Sequence, residues 1–145
     1  MDKALNYLAL ARKGGRVELG EEPVGAAARA QHARLLIVAS DASDHTWRRA
    51  QSFVAGTEQQ CIRVGYSKVE LGMAIGRTDL ALAAFTDPAL ALAFVQALEQ
   101  PDKYRAVLEN LQQRVKRVRQ RTKEEAAHQR NKRMGGARRG AGKKQ

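Results

Sequence analysis

Leu5, Leu8, Ala9 and Ala11 recur at helical spacing, and Lys13-Gly14-Gly15 ends the pattern with a basic last turn and a glycine stop. Residues 3–12 are therefore read as a first helix. Residues 16–19 alternate and are short, which predicts a strand polar enough for a sheet edge. Gly20 then turns the chain, Glu21 and Glu22 suit the positive end of a second helix, and Pro23 is tolerated in its first turn. That helix is expected to run through the alanines to about Gln31. Residues 35–39 are a continuous apolar run with β-branched members, long enough for a buried strand and too short for a helix.

The polar stretch Ser40-Asp41-Ala42-Ser43-Asp44 reads as a loop in which Ser43 or Asp44 caps a third helix with Trp47, Ala50, Phe53 and Val54 on one side. A short strand follows at 61–64. Ser67-Lys68-Val69-Glu70 has the capping-box pattern and predicts a brief helix over 68–75 ending at Gly76. Gly72 inside that helix costs about 1 kcal/mol against alanine, so its presence implies a close backbone approach. Residues 80–85 are the next buried strand, and Asp87-Pro88 opens a fifth helix with proline at its first position, running over 89–99. Pro101 disfavours helix at Gln100, and Asp102 is placed to cap a further helix. Along it Tyr104, Leu108, Leu111, Val115 and Val118 make an apolar seam of two heptads, read as a docking or weak dimerisation face.

Strands alternating with helices predict an α/β domain, a four-stranded sheet covered by helices. The expected division is a domain over 1–100, a basic amphipathic helix over 101–133 and a disordered basic tail over 134–145.

Charge sharpens that division. The net charge of +11 is local: residues 1–100 carry eleven Lys/Arg and eleven Asp/Glu, whereas residues 101–145 carry fifteen and four. A segregated basic arm is the composition that binds polyanions, because clustered Lys/Arg release counterions on meeting phosphate. The single cysteine, Cys61, excludes a disulfide framework and a multi-thiolate metal site within one chain, and is read as a small core residue. A basic leader feeding an apolar run and a membrane-span-length stretch are both missing, so a cytoplasmic protein with no membrane partner is expected. His32, His45 and His128 are far apart with no carboxylate or thiol at ligand spacing, so no metal and no cofactor are expected. Without a phosphate-cradling glycine loop or a nucleophile-base arrangement, the chain is read as non-catalytic.

Five stretches in this order and spacing, Leu10-Ala11-Arg12-Lys13-Gly14-Gly15, Gly20-Glu21-Glu22, Val38-Ala39-Ser40-Asp41-Ala42-Ser43, Glu70-Leu71-Gly72-Met73-Ala74-Ile75-Gly76 and Phe85-Thr86-Asp87, resemble the kink-turn-binding ribosomal protein family in its bacterial YlxQ-like branch. The resemblance covers about residues 3–99. It implies a three-layer α/β/α sandwich with a mixed four-stranded sheet and no cofactor. It also implies a role in binding structured RNA or the ribosome, in ribosome biogenesis or translation.

The family holds RNA with the start of the second helix and with the loop after the Leu-Gly-x-Ala-x-Gly helix, which map to residues 20–26 and 77–80. Glu22, Pro23 and Ala26 stand where the family has Asn, Glu and Lys, so weak discrimination of a kink-turn from a straight duplex is expected. The candidate RNA contacts are Gly20, Glu21, Glu22, Arg77, Thr78 and Leu80, the last as an apolar tip, with Arg16, Arg29 or Arg77 offsetting the two glutamates. The arm adds Arg114, Lys116, Arg117, Arg119, Arg121, Arg138 and Arg139 as phosphate contacts. In this reading the domain selects the site and the arm anchors it. The competing reading is a protein adaptor whose basic arm docks an acidic partner. A monomer or a weak dimer through the last helix is expected in either case.

Overall fold

The computed structural model describes the backbone of residues 2–143 and the side chains of residues 2–132. The chain forms two compact units, Met1–Gln112 and Gln113–Gln145. In order, the elements are α1 (Lys3–Lys13), β1 (Val17–Leu19), α2 (Glu21–Arg29), β2 (Leu35–Val38), α3 (Asp44–Val54), β3 (Cys61–Arg63), α4 (Lys68–Ala74), β4 (Leu82–Phe85), α5 (Pro88–Ala97) and α6 (Arg105–Lys143).

The sheet order is β1-β4-β2-β3. Strand β4 is antiparallel to both β1 and β2, and β3 is parallel to β2, so the sheet is mixed as expected. Alternation along the strands sends side chains to opposite faces. Leu35, Ile37, Ala83 and Phe85 face α1, α4 and α5, through Leu8, Leu71 and Phe94. Leu36, Val38, Leu82 and Ala84 face the other way and pack with Val24 of α2 and Ala50 of α3. Both faces of the central strands are thereby covered, which is why β2 and β4 read as unbroken apolar runs. The polar β1 lies at the edge.

Local chemistry sets the helix ends. The Asp2 carboxylate accepts from the Ala4 amide at 2.8 Å, Ser43 accepts from Thr46, and Asp87 accepts from Leu90 with Pro88 behind it. Ser67 and Glu70 form the full capping box. Trp47 is half-buried in the outer cluster, with the Arg63 guanidinium 5.0 Å from its ring centre.

Two boundaries differ from expectation. Strand β4 starts at Leu82, because the Leu80 amide donates to the Lys68 carbonyl and is held against α4 rather than in the sheet. Helix α6 starts at Arg105, and Asp102 pairs with Arg105 at 3.3 Å in the turn before it. The first unit also continues past residue 100. Tyr104 and Leu111 are buried in the core cluster, Leu108 packs against it, and the Tyr104 hydroxyl donates to the Arg63 carbonyl at 3.1 Å. The first half of the seam is thus used within the first unit, while Val118 is exposed. The tail expected over 134–145 lies outside the residues whose side chains are described.

Candidate nucleic-acid interface

Gly20 adopts φ +92°, a conformation that L side chains rarely adopt, and this lets the chain leave β1 and enter α2 directly. Its amide donates to the Leu82 carbonyl at 2.9 Å, and its carbonyl accepts from the Val24 amide. No side chain caps α2. The helix therefore opens with uncapped amides, its positive dipole end, and the exposed carboxylates of Glu21 and Glu22.

Leu82 is also where the loop after α4 re-enters the sheet. The loop is held tightly. Gly76 turns at φ +74°, the Arg77 amide donates back to the Gly72 carbonyl at 2.8 Å, and Gly72 sits directly beneath the backbone of Asp79. Arg77, Thr78 and Asp79 project to solvent. Next to this loop, the Ala39 amide donates to the Ala81 carbonyl, which brings the loop over residues 39–43 to the same end of the sheet. Asp41 there accepts from the Lys68 amide at 2.8 Å. Three segments of the resemblance thus converge on one end of the first unit, although they are separated in sequence.

Of the expected contacts, Gly20, Glu21, Glu22, Arg77 and Thr78 are brought together here. Leu80 is not available as an apolar tip: it is 3% exposed and belongs to the core, where it anchors the loop. Arg16 and Arg29 are not at this end either. Arg16 immediately precedes β1, four residues before Gly20 and roughly 13 Å away at strand rise, and pairs with Asp87 at 3.6 Å. Arg29 closes α2, and its guanidinium folds back beside Gly25, a turn short of Glu21 and without an ion pair to it. Neither offsets Glu21. That role falls to Arg49 of α3, whose Nε donates to Glu21 Oε1 at 2.6 Å and whose guanidinium also lies over Phe53. Sequence reading misses Arg49, because its relation to Glu21 depends on α2 and α3 sharing one face of the sheet. The only local signal is that Arg49 precedes Phe53 by one helical turn.

In the second unit, Lys116, Arg117, Arg119 and Arg121 are exposed on α6 and Arg114 is partly so. Arg138 and Arg139 lie outside the residues whose side chains are described. Cys61 packs against the outer cluster, and burial pushes its thiol up to about 12, so the thiolate a nucleophile needs is scarce near neutrality. Among the described residues no three His, Cys, Asp or Glu side chains gather into a metal-binding group.

No protein-family model matches the chain. The chain is nevertheless similar to known proteins. The chain is 32% identical over 75 residues to the RNA-binding protein YlxQ of Enterococcus faecium, a match that spans 52% of this chain and 72% of the relative. Its fold superposes on a Bacillus halodurans protein of unknown function with a TM-score of 0.63 at 25% identity, over 69% of this chain and 100% of that one. A 15.5kD RNA-binding protein of Giardia lamblia superposes with a TM-score of 0.57 at 18% identity, over 72% and 87% of the two chains, a likeness of fold alone. With 72% of the Enterococcus protein matched at 32% identity, the chain belongs to the YlxQ-like family.

Proposed function

We propose that the chain is a non-catalytic binder of structured RNA, ribosomal RNA or another RNA of the translation apparatus, in which the first unit chooses the site and the basic helix anchors phosphates. The observation that carries this reading is the convergence of Gly20, the loop over 39–43 and the Arg77-Thr78 tip at one end of a fold shared with proteins named for RNA binding. Open helix amides and an exposed Arg beside them suit phosphate and splayed bases. Glu21 is engaged by Arg49, which leaves the Glu22 carboxylate to accept hydrogen bonds from base amino groups, and both glutamates repel phosphate, so they favour unpaired bases over a smooth duplex.

The arm complements this end electrostatically. Residues 1–100 have no net charge and the remainder holds +11, so phosphate attraction comes mainly from the helical arm that begins at residue 105. Phosphate contacts carry no sequence information, which leaves selection to the first unit. Because Tyr104 and Leu111 are consumed in the core, the protein is expected to act as a monomer.

Crosslinking in cells followed by sequencing of the bound RNA tests the reading. Enrichment of a small set of structured sites, in ribosomal RNA above all, is expected. Recovery of RNA in proportion to its abundance would contradict it.

A further inference from the structure

The end of the first unit opposite Gly20 carries its own cluster of cations. Arg12 and Lys13 close α1, the Arg16 amide donates to the Ala11 carbonyl at 2.8 Å, and the Arg16 carbonyl accepts from Thr86 at 3.0 Å. One residue earlier on the same strand, the Phe85 carbonyl accepts from the Arg34 amide at 2.7 Å. Arg16 and Arg34 therefore flank the end of β4 on its two sides, about 10 Å apart at sheet spacing, with Arg12 and Lys13 beside Arg16. The last-turn cations answer the dipole of α1. Arg16 and Arg34 follow the C-terminal ends of α1 and α2, so the dipoles of both helices favour cations at this end.

Little neutralises this cluster. Among the described residues, Arg12, Lys13 and Arg34 have no carboxylate partner within ion-pair distance, and Arg34 Nη1 instead donates to the Gln31 and Ala33 carbonyls at 3.1 and 3.4 Å. Arg16 shares Asp87 with the cap of α5 and remains 58% exposed. Glu58 is at this end too, before β3, the strand that pairs with β2, and so lies in the segment next to Arg34. The Gly20 end, by contrast, gathers Glu21, Glu22, Asp41, Asp44 and Asp79. These acids are interleaved with Arg49, Lys68 and Arg77, whereas the opposite end is mainly cationic.

A shallow groove joins the two. Its floor is the outer side of α2, Pro23, Ala26 and Ala30 at helical spacing, and its walls include Glu18, His32 and Arg34. The small floor residues keep it open from the first turn of α2 to the basic end. We propose that this groove and the cluster Arg12, Lys13, Arg16 and Arg34 form a second RNA surface, which binds the phosphates of a strand leaving the Gly20 end. The inference rests on the RNA-binding reading above. Charge complementarity runs along a continuous path: the cations sit where an RNA strand passes after leaving the Gly20 end.

The test uses the full chain and a fluorescein-labelled RNA hairpin with an internal loop, titrated across a salt series. One variant carries Arg12→Gln, Lys13→Gln and Arg34→Gln. A charge-matched control carries Lys3→Gln, Lys103→Gln and Arg105→Gln. A third protein replaces Arg12 and Arg34 with Lys, preserving charge. The first variant should flatten the slope of log affinity against log salt by about 2.1 to 2.7, three phosphates at roughly 0.7 to 0.9 each, while the control and the lysine variant keep the wild-type slope. Equal flattening in the control would reduce the effect to net charge and overturn the proposal, as would an unchanged slope in the first variant. Failure of the wild-type chain to bind RNA would instead remove the function itself. If poly-glutamate bound wild-type chain as tightly as the hairpin, and its affinity fell equally in the first variant, the surface would belong to an acidic protein partner and the proposal would fall.

Discussion

Arg49 Nε lies 2.6 Å from Glu21 Oε1, joining the middle of α3 to the first turn of α2. Both side chains are about half exposed, so the pair stabilises the fold by at most about 1 kcal/mol. Its consequence is for binding, since it ties up the cation beside the helix start. Glu21→Gln should therefore tighten RNA binding severalfold at low salt by removing a repulsive carboxylate and releasing Arg49. The gain should shrink as salt rises. Fluorescence anisotropy at two ionic strengths reads both effects, and a weaker complex with Glu21→Gln would show the carboxylate to be a base contact.

Gly72 is the hinge of the opposing loop. A Cβ at this position would lie 2.5 Å from the Asp79 Cα, a backbone atom that can yield only if the loop moves. Gly72→Ala gains about 1 kcal/mol of helix propensity, but overpacking of this kind costs about 1–3 kcal/mol or more, and the clash should win. A lowered unfolding midpoint is expected, together with a changed ranking of RNAs as Arg77 shifts. An unfolding midpoint raised by the substitution would mean the loop is free to move.

The boundary of the folded unit is testable by truncation. A chain ending at residue 112 should keep a cooperative thermal transition, whereas one ending at residue 100 should lose much of it, because it lacks Tyr104 and Leu111 from the core. In the full chain, Leu111→Ala should cost about 2–5 kcal/mol and Tyr104→Phe about 1 kcal/mol through its hydrogen bond to Arg63. Denaturant unfolding gives both values.

The acid limb of stability should involve Asp2. The Tyr66 hydroxyl and the Ala4 amide hold its carboxyl below the ordinary value of 3.8, while burial and the same Asp2 contact push the Tyr66 hydroxyl up. A carboxyl depressed on folding contributes stability that is present above the unfolded value and lost as pH falls through the folded one. A tyrosine raised on folding does the reverse, contributing below its ordinary value of 10.0 and losing that contribution as pH rises beyond it. Asp2→Asn should flatten the stability profile below pH 4, and Tyr66→Phe should flatten both limbs. Thermal melts across pH show whether it does.

Much of the fold is legible in local pattern, because its signals are local. Ser67 and Glu70 cap α4 within one turn, Asp87-Pro88 opens α5, and alternation places 16–19 on an edge. The features that escape are non-local. Leu80 has the same apolar character as a strand residue or a binding tip, and only its amide bond to Lys68 and its place beneath α4 assign it to the core. Likewise Tyr104 and Leu111 announce an apolar seam but not its partner, so pattern alone ends the unit at Pro101 although the start of α6 docks on it. In the candidate site, Gly20 and Arg77 are legible from motif spacing. Arg49 is not, since only the packing of α2 beside α3 brings it to Glu21.

Binding of one structured RNA and one scrambled control across a salt series separates selection by the first unit from anchoring by the basic helix. The proteins are the intact chain, the variant with Arg114, Lys116, Arg117, Arg119 and Arg121 all changed to Gln, and Arg77→Ala. The arm variant should weaken both RNAs by similar factors and flatten the logarithmic salt slope by roughly 0.7 to 0.9 for each phosphate no longer neutralised. Arg77→Ala should leave that slope nearly unchanged and alter the ratio between the RNAs. An arm variant with the wild-type slope, or one that erased the preference while Arg77→Ala preserved it, would contradict the account.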